Sequence, residues 1–455
     1  MQSHYLAKCL SIACIVILFL VALGSVEHKV FERKSYRNQA TQKVANGWSS
    51  QQVIAGPVLY LNYKRSYVDR KFDKELKKYV EVTKERRWSE YHLLKQSSTN
   101  TELEIQERYI GIFKVPVYTA NLGLVSTHLG SSIQDDNKKR LTGASIMISV
   151  SDMRGLSNRP TISWNSQSIE FRPGTDQRLL GNYIEASLPL SSVKRDATIR
   201  LNLKLRGVEQ FGIVPIAETV SSSMQSDWQH PMFTGNYLPD KRAISSAGFT
   251  ATWNVNSFAS SIGKLMQTCT NEPTACANLL IHNQLGVQLS RPVDVYSMTD
   301  RAIKYGFLFI CLTFVVFALL ELQKRYSIHA IQYGFVGAAL AVFYILLVSL
   351  SEHLSFSTAY ILASLACSIL ISGYLKVALD SKKLALGLGL AFLVLYSMMY
   401  AILKSEDYAF LMGSLLVFFL LAGIMFGTRN VKWQDHTKKT AKAKSETSNP
   451  EMEKD

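Results

Sequence analysis

The C-terminal part of the chain contains long apolar stretches separated by short polar gaps. A bilayer core needs about 20 predominantly apolar residues per helix, and the region between residues 305 and 428 holds five such stretches. They are residues 305–322, 331–350, 356–374, 384–403 and 408–427. A further stretch lies near the start of the chain, at residues 9–26. We therefore predict a membrane protein with a bundle of six transmembrane helices.

The stretch at residues 9–26 has two interpretations. It follows a single Lys8, and Ala22, Leu23 and Gly24 resemble the small-residue site at which a signal peptide is cleaved. The first interpretation is a removable signal peptide, and the second, which we favour, is a retained transmembrane anchor. With either interpretation, the segment that follows is exported across the membrane.

The basic residues predict the orientation of the chain in the membrane. The formal net charge is +15, and the Lys and Arg residues of the helical region collect in alternate gaps and in the tail. They are Lys324 and Arg325, then Lys376, Lys382 and Lys383, and then seven in the tail at residues 429–455. Such loops favour the cytoplasmic side. We therefore expect both termini in the cytoplasm and residues 27–300 on the outer side, which would be the periplasm if the membrane is a bacterial inner (plasma) membrane, and no nucleic-acid partner.

Nearly all the sequence patterns typical of β-strands lie in the exported segment. Stretches such as "ASIMISVSD", "TISWNSQSIEFR" and "ATIRLNLKLRG" alternate β-branched or aromatic residues with polar ones, and turn formers separate them. This pattern predicts a large antiparallel all-β domain of the sandwich or jelly-roll-like type. The predicted organisation is an anchor at 1–26, a periplasmic β domain at 27–300, a five-helix transmembrane region at 301–428, and a disordered basic cytoplasmic tail at 429–455.

The six cysteines divide by compartment. Four lie in the predicted spans, where a thiol behaves as a small apolar group. Cys269 and Cys276, in "TCTNEPTACANLL", lie outside the spans. An oxidising compartment favours a disulfide, so we predict that these two are bridged, with two free thiols as the alternative.

Local catalytic motifs are missing from the exported segment. It has no G-x-S-x-G, no H-E-x-x-H, no paired C-x-x-C and no glycine-rich phosphate loop. We therefore expect no enzymatic activity, no cofactor and no metal. The stretch "SDWQHPMFTGNYLPD" concentrates aromatic residues, and Trp228, His230 and Tyr237 are its candidate contacts. It is interpreted either as a binding loop or as a loop that packs its aromatic side chains into a core.

The segment at residues 62–96 mixes many basic residues with acidic ones. It could meet anionic envelope polymers or lipid headgroups, or it could form a solvated, twisted ribbon without a partner. In the helical region, small residues recur at helical spacing in the third and fourth spans. They are Gly334, Gly337, Ala338 and Ala341, and Ser364, Ser368 and Ser372. This spacing predicts close packing inside the bundle, and a proton or ion path is the alternative.

Two polar gaps on the predicted periplasmic side both begin with "SE". Glu352 and His353 lie in "SEHLS", and Glu406 and Asp407 lie in "KSED". The simple interpretation is a polar hairpin tip, because a carboxylate costs about 2.5–3.5 kcal/mol at a helix centre. The alternative is a shared polar cluster of Glu352, His353, Glu406 and Asp407 that holds a proton or a cation, or docks a basic patch.

Several longer stretches resemble the CreD family of bacterial inner-membrane proteins. They include "RPVDVYSMTDRAIKYGFLFICLTFVVFALLEL" and "SEDYAFLMGSLLVFFLLAGIMFGTRNVKW" in the helical part, and "ASIMISVSDMRGL" and "SDWQHPMFTGNYLP" in the exported part. The resemblance implies a role in cell-envelope integrity and in the response to envelope stress, β-lactams and colicins, without an established catalytic activity. The expected partners are the lipid bilayer and periplasmic glycan, lipid or envelope proteins. The alternative function is a transporter or proton-coupled module that uses the helix bundle.

Overall fold

A computed structural model describes residues 2–73, 78–133, 139–176, 178–179, 181–271, 273–289, 295–322, 329–378, 381–405 and 409–429. The chain divides into two compact units. One comprises Met1–Ser35 and Val293–Asp455 and is called the helical unit. The other comprises Tyr36–Pro292, is mostly β, and is called the β unit.

The first helix is much longer than the apolar stretch that begins it. Helix α1 runs from Gln2 to Gly47, and its 46 residues span about 69 Å at 1.5 Å per residue. It continues because residues 27–46 contain no proline and no glycine, and it ends at Gly47, a residue type that commonly ends helices. The division into two compact units falls within this helix, between Ser35 and Tyr36.

The β unit contains sixteen strands among its described residues. In chain order they are β1 (Gln52–Asp73), β2 (Lys78–His92), β3 (Leu94–Ile110), β4 (Phe113–His128), β5 (Arg140–Val150), β6 (Thr161–Trp164), β7 (Gln167–Glu170), β8 (Arg172–Pro173), β9 (Tyr183–Ser187), β10 (Ala197–Val208), β11 (Gln210–Val214), β12 (Ala217–Ser226), β13 (Pro231–Gly235), β14 (Lys241–Ser245), β15 (Gly248–Asn256) and β16 (Leu285–Leu289). One sheet has the order β13-β16-β11-β1-β5-β9-β8, with β2 beside β1, and the other has the order β14-β15-β12-β3-β4-β10-β6-β7.

The strands are not all antiparallel, which corrects the sequence prediction. Strand β1 pairs in parallel with β11, where Gln52 lies opposite Phe211. Strand β3 pairs in parallel with β12, where Leu94 lies opposite Ala217. Residue alternation identifies a strand but carries no information about the direction of its neighbour, and the long connections between these strands permit parallel pairing.

The β unit also contains short helices, so it is mostly β rather than all-β. They are α2 (Leu190–Val193), α3 (Ser257–Ser260), α4 (Ile262–Asn271) and α5 (Pro273–His282). The structure joins Cys269 of α4 to Cys276 of α5 by a disulfide. Both cysteines are buried in a cluster that includes Val58, Met147 and Leu280. The disulfide therefore fixes the helical pair against apolar side chains of the sheet that contains β1 and β5.

The main hydrophobic core of the β unit takes side chains from both sheets. Ile54, Ile148 and Phe211 come from the sheet that contains β1. Leu203 and Trp253 come from the sheet that contains β3. Their alternation with exposed residues is clearest in β10, where buried and exposed positions alternate from Ala197 to Lys204.

The described residues of the helical unit form the start of α1 and five further helices. They are α6 (Val295–Leu322), α7 (Ala330–Ser351), α8 (Phe356–Ala378), α9 (Lys382–Lys404) and α10 (Ala409–Thr428). The six predicted apolar stretches fall on α1 and α6–α10. Judged on the described residues, four helical segments are long and apolar enough to cross a membrane, and a shorter apolar helix lies at Leu411–Gly423. The four are Leu10–Gly47, Ala330–Ser351, Phe356–Ala378 and Lys382–Lys404.

Candidate functional site

Glu352 lies at the end of α7, where the chain turns into α8. Its carboxylate oxygen Oε1 is 3.0 Å from Nε of Arg33, a residue of α1, and only 10% of the Glu352 side chain is exposed. Oε1 accepts no hydrogen bond, so the contact has the distance of an ion pair without the alignment of a hydrogen bond.

The structure describes one other member of the predicted polar cluster. His353 is exposed in the α7–α8 turn. Glu406 and Asp407 lie outside the described residues. Arg33 was not predicted as a site residue, because it lies beyond the apolar stretch of the first span and becomes a neighbour of Glu352 only when α1 continues as a helix.

The segment at residues 226–240, predicted as a loop, contains strand β13 and packs most of its aromatic side chains inward. Trp228 and Tyr237 are partly buried against the main core. Nε1 of Trp228 donates to the carbonyl oxygen of His230 at 3.1 Å, and the carbonyl oxygen of Tyr237 accepts from Nε1 of Trp253 at 3.0 Å. Burial raises the pKa of Tyr237. His230 is exposed, so the loop presents one of its three candidate contacts to solvent.

An open cleft of about 470 Å³ lies beside the start of this loop. Strand β3 contributes Glu102 and Glu104, β12 contributes Gln225, and Asp227 belongs to the loop itself. Nδ2 of Asn121 donates to Oε1 of Glu104 at 2.8 Å. Three carboxylates, Glu102, Glu104 and Asp227, line the cleft beside apolar side chains such as Leu103 and Phe249, and Trp228, His230 and Tyr237 are not among its lining residues.

A dense polar network holds the end of α1 in the β unit. We call it the α1 junction, and its residues are Trp48, Ser49, Ser50, Gln52, Asp152 and Arg154. The backbone N–H and the hydroxyl of Ser50 both donate to Oδ2 of Asp152, each at 2.9 Å. Arg154 donates to the same carboxylate through Nε at 3.0 Å and Nη2 at 2.7 Å. Nη1 of Arg154 donates to the carbonyl oxygen of Asn46, in the last turn of α1, at 2.9 Å.

The charge on Asp152 is strongly stabilised by these partners. The guanidinium of Arg154, and then the Ser50 donors, hold the pKa of Asp152 well below its usual range, and burial opposes this effect. A carboxylate with several donors of this kind stays ionised at neutral pH. The α1 junction is therefore a permanent charge-assisted contact rather than a group that exchanges protons.

Gln52 connects the α1 junction to the backbone of the sheets. Its buried amide Nε2 donates to Oγ of Ser49 at 2.8 Å and to the carbonyl oxygen of Asp152 at 2.9 Å. A Cβ atom on Gly155 would lie 2.2 Å from this nitrogen, so only glycine fits beside the amide. The sequence "SDMRGL" therefore supplies a carboxylate, a guanidinium and a required glycine in order.

Trp48 completes the α1 junction with a cationic contact on its ring. The guanidinium carbons of Arg108 and Arg206 lie 4.8 and 4.9 Å from the ring centroid, within the range of cation–π attraction. None of the junction residues was singled out as a site from the sequence. The available signal was weak, because an Asp-x-Arg-Gly run after a strand is common and its helix partner is distant in the chain.

A metal site is not indicated by the described part of the chain. No group of three or more His, Cys, Asp or Glu side chains that could hold a metal ion occurs among the described residues. The features that the described residues do show are the anchoring contacts of the α1 junction and exposed surface side chains.

Comparisons with known proteins cover nearly the whole chain. Residues 4–434 match the family described as "Inner membrane protein CreD". The inner membrane protein CreD of Escherichia coli (strain K12) is 30% identical over 449 residues, which is 98% of this chain and 97% of that protein. Among solved structures, an M1 zinc metallopeptidase from Deinococcus radiodurans gives a TM-score of 0.18 at 11% identity, covering 35% of this chain and 38% of that one. The same enzyme with bound substrate gives 0.18 at 10% identity and the same coverage.

Proposed function

Because the chain belongs to the CreD family of inner membrane proteins, we propose that it supports cell-envelope integrity as a non-enzymatic membrane protein. It acts in the response to envelope stress, including β-lactams and colicins, by presenting its β unit to envelope components. Those components are periplasmic glycan, lipid or envelope proteins.

The proposed architecture has six membrane spans, formed by α1 and α6–α10. Four helical segments of the described chain have the length and apolar character of spans, and the remaining two spans are supported by the apolar sequences of α6 and α10. The alternate distribution of Lys and Arg supports cytoplasmic termini and a periplasmic β unit. The two sheets that share one core are proposed to form a sandwich.

The anchor at the start of the chain is proposed to be retained. The small-residue site at Ala22, Leu23 and Gly24 lies inside α1, which continues to Gly47 without a break. Cleavage there would separate the apolar part of the helix from the part that ends in the α1 junction.

The observation that carries the proposal is the α1 junction. The helix that contains an apolar, membrane-length segment ends in a network of charge-assisted hydrogen bonds inside the β unit. Charge-assisted hydrogen bonds are stronger than neutral ones. A β unit fastened in this way to a membrane helix is suited to a fixed position at the membrane rather than to diffusion in the periplasm.

The experiment is complementation in cells that lack their own copy of the protein. Three chains are compared: the full chain, a chain in which a short linker replaces residues 52–289, and a full chain with Asp152→Asn. Glu170→Gln, an exposed carboxylate in β7, serves as the matched control. Leakage of a periplasmic enzyme and survival in sublethal β-lactam are measured at equal membrane levels of each chain.

The full chain and Glu170→Gln should restore the barrier, whereas the chain without the β unit should not. Asp152→Asn should restore it only in part, because a hydrogen bond to a charged group contributes about 1.5–3 kcal/mol. Full protection by the helices alone would overturn the proposal.

A further inference from the structure

The hairpin formed by β1 and β2 extends well past the sheet to which it belongs. Strand β1 pairs with β5 only as far as Lys64, which lies opposite Arg140. The ladder between β1 and β2 continues to Asp73, which lies opposite Lys78. Residues 65–73 and 78–86 therefore form a two-stranded projection about 30 Å long. We call this projection the ribbon.

The ribbon exposes apolar and aromatic side chains that no core covers. Its exposed large apolar side chains, with exposures from 37% to 70%, are Tyr67, Val68, Phe72, Tyr79 and Val82. The rings of Phe72 and Tyr79 meet edge-on, with centroids 5.3 Å apart. An isolated two-stranded hairpin is only marginally stable in water. The concentration of exposed apolar side chains on such a thin element therefore suggests that the ribbon binds another surface through them.

The ribbon is also basic. Between residues 65 and 86 the chain has eight Lys and Arg against five Asp and Glu. Several of the cations are neutralised across the strands: Lys84 contacts Asp69, and Arg70 lies 3.6 Å from Glu81. These two cross-strand contacts, one diagonal and one directly opposite, pair the acidic residues Asp69 and Glu81 near the middle of the ribbon.

One rung of the ribbon places two arginines directly opposite each other. Arg65 of β1 pairs in register with Arg86 of β2, and both side chains are exposed. Neither forms an ion pair with any residue that the structure describes. Directly opposite side chains in a sheet have Cβ atoms about 4.5–5.5 Å apart, so two like charges there destabilise the pairing. We call these two residues the arginine rung.

An anion between the two guanidinium groups would remove this repulsion. Phosphate is well suited, because guanidinium groups bind it through paired N–H donors. Opposite pairs on a strand ladder share a face, so Tyr67 and Val82 lie on the same face as the arginine rung. A phosphate site with aromatic and aliphatic side chains beside it matches the interface of a bilayer, where Tyr rings and basic side chains are both favoured.

We propose that the ribbon binds an anionic lipid surface through this face, with the arginine rung on the lipid phosphates and Tyr67 and Val82 in the interfacial layer. Phe72 and Tyr79 lie on the opposite face of the ribbon, because each is an odd number of residues from the arginine of its own strand. A soluble anionic polymer would satisfy the arginines but would gain little from Tyr67 and Val82, so the lipid surface is the better match. The inference rests on the proposed function, because it names the envelope component that the β unit meets.

The test uses the full chain in nanodiscs of phosphatidylcholine, immobilised on a sensor. Vesicles of phosphatidylcholine alone, or mixed with phosphatidylglycerol, are passed over it. The charge variant is Arg65→Gln with Arg86→Gln, and the apolar variant is Tyr67→Ser with Val82→Ser, which lie on the same face as the arginine rung. The matched control is Arg195→Gln with Arg200→Gln, which removes the same charge from exposed positions elsewhere on the β unit.

The wild-type chain should capture the anionic vesicles and not the neutral ones. The charge variant should bind about thirtyfold more weakly, since each cation at an anionic surface contributes about 1 kcal/mol. The apolar variant should also weaken capture, and the control should bind like the wild type. The charge variant should unfold no more easily than the wild type, because it loses a repulsion, so a loss of binding is not a loss of fold.

Two outcomes would overturn the inference. The first is equal capture by the wild type and the charge variant. The second is binding of soluble polyphosphate that depends on the arginine rung but is indifferent to Tyr67→Ser with Val82→Ser, which would assign the rung to a polymer. Either result would leave the complementation test of the proposed function standing, because that test deletes the whole β unit and does not depend on the ribbon.

Discussion

His92 and His128 lie side by side at the ends of β2 and β4, with ring centroids 6.0 Å apart. His128 is 1% exposed, and its Nε2 lies 2.7 Å from the carbonyl oxygen of Val193, so Nε2 carries the proton. Burial lowers the pKa of His128. Burial, and then the neighbouring His128, lower the pKa of His92. Both rings are therefore neutral in the folded β unit at neutral pH.

This pair predicts a loss of stability on mild acidification. Both pKa values are lower in the folded state than the ordinary value near 6.5, so stability is complete above about pH 6.5 and falls as the pH drops from there toward the folded values. The free energy of unfolding of the β unit should therefore be smaller at about pH 5.5 than at about pH 7.5. Urea unfolding of the full chain in detergent, followed by tryptophan fluorescence, measures it.

His128→Gln provides the comparison for this prediction. The glutamine amide can still donate toward Val193, so the variant should lose about 1 kcal/mol at neutral pH. It should lose less than the wild type between the two pH values, because one titrating group is gone. Equal pH dependence in the two chains would show that the histidine pair does not control it.

At the level of single residues, the sequence predicted where a side chain lies in the chain's elements better than which side chain it contacts. Glu352 was expected at a turn, and it lies at the end of α7. Its pairing with Arg33 could not be predicted, because it requires α1 to extend as a helix beyond its apolar stretch and to pack beside α7. Asp152 was missed for a similar reason, since its partner Ser50 is distant in sequence and meets it only in the fold.

Close packing of helices in the helical unit depends on particular glycines. A Cβ atom on Gly337 of α7 would lie 2.2 Å from the ring of Phe19 of α1, so glycine is what lets the two helices approach. Gly334, one turn earlier on α7, has open space where its Cβ would be. In the same unit, Gly389 of α9 makes room for Ser372 of α8. Small residues at helix contacts are the usual means of packing in a membrane.

These contacts predict different effects for the same substitution at two positions. Gly337→Leu should destabilise the helical unit by about 1–3 kcal/mol, because a larger side chain forces Phe19 or α1 to shift. Gly334→Leu, with the same change in helix propensity, should have little effect. Thermal stability in detergent, followed by size-exclusion chromatography of a fluorescent fusion, compares the two. Equal losses would mean that α1 does not pack on α7 through Gly337.

At the level of helices and strands, local pattern identified the elements but not their pairing. The apolar stretches fell on helices, and the alternating segments fell on strands such as β5 and β10. The parallel partners of β1 and β3 were missed, because strand alternation is the same for both directions. Helices α4 and α5 were also missed, since a short helical pair closed by a disulfide has little periodicity to recognise.

For the whole molecule, the sequence predicted a helical part and a mostly β part, and the structure contains both units. The distribution of Lys and Arg also predicts the orientation of the chain in the membrane. The disulfide between Cys269 and Cys276 bears on this orientation, because such a bond persists in an oxidising compartment and is rare in the cytoplasm. Its redox state in cells is therefore a measurement of topology.

The proposed periplasmic location of the β unit predicts that this disulfide is oxidised in growing cells. Cells are lysed in acid, denatured and treated with a maleimide that adds mass to each thiol, with and without prior reduction. Reduction should expose two more thiols in the wild-type chain and none more in Cys276→Ser. The same substitution should destabilise the β unit by about 2–3 kcal/mol, because the closed loop is short.

Cys311→Ser serves as the control, because Cys311 is a free thiol in α6. It should lower the labelling before and after reduction by one thiol, and it should leave the difference between them at two. Labelling of Cys269 and Cys276 without reductant would place the β unit in a reducing compartment. The orientation would then be inverted, and the basic gaps and the tail would face the periplasm, against the tendency of Lys and Arg to remain inside.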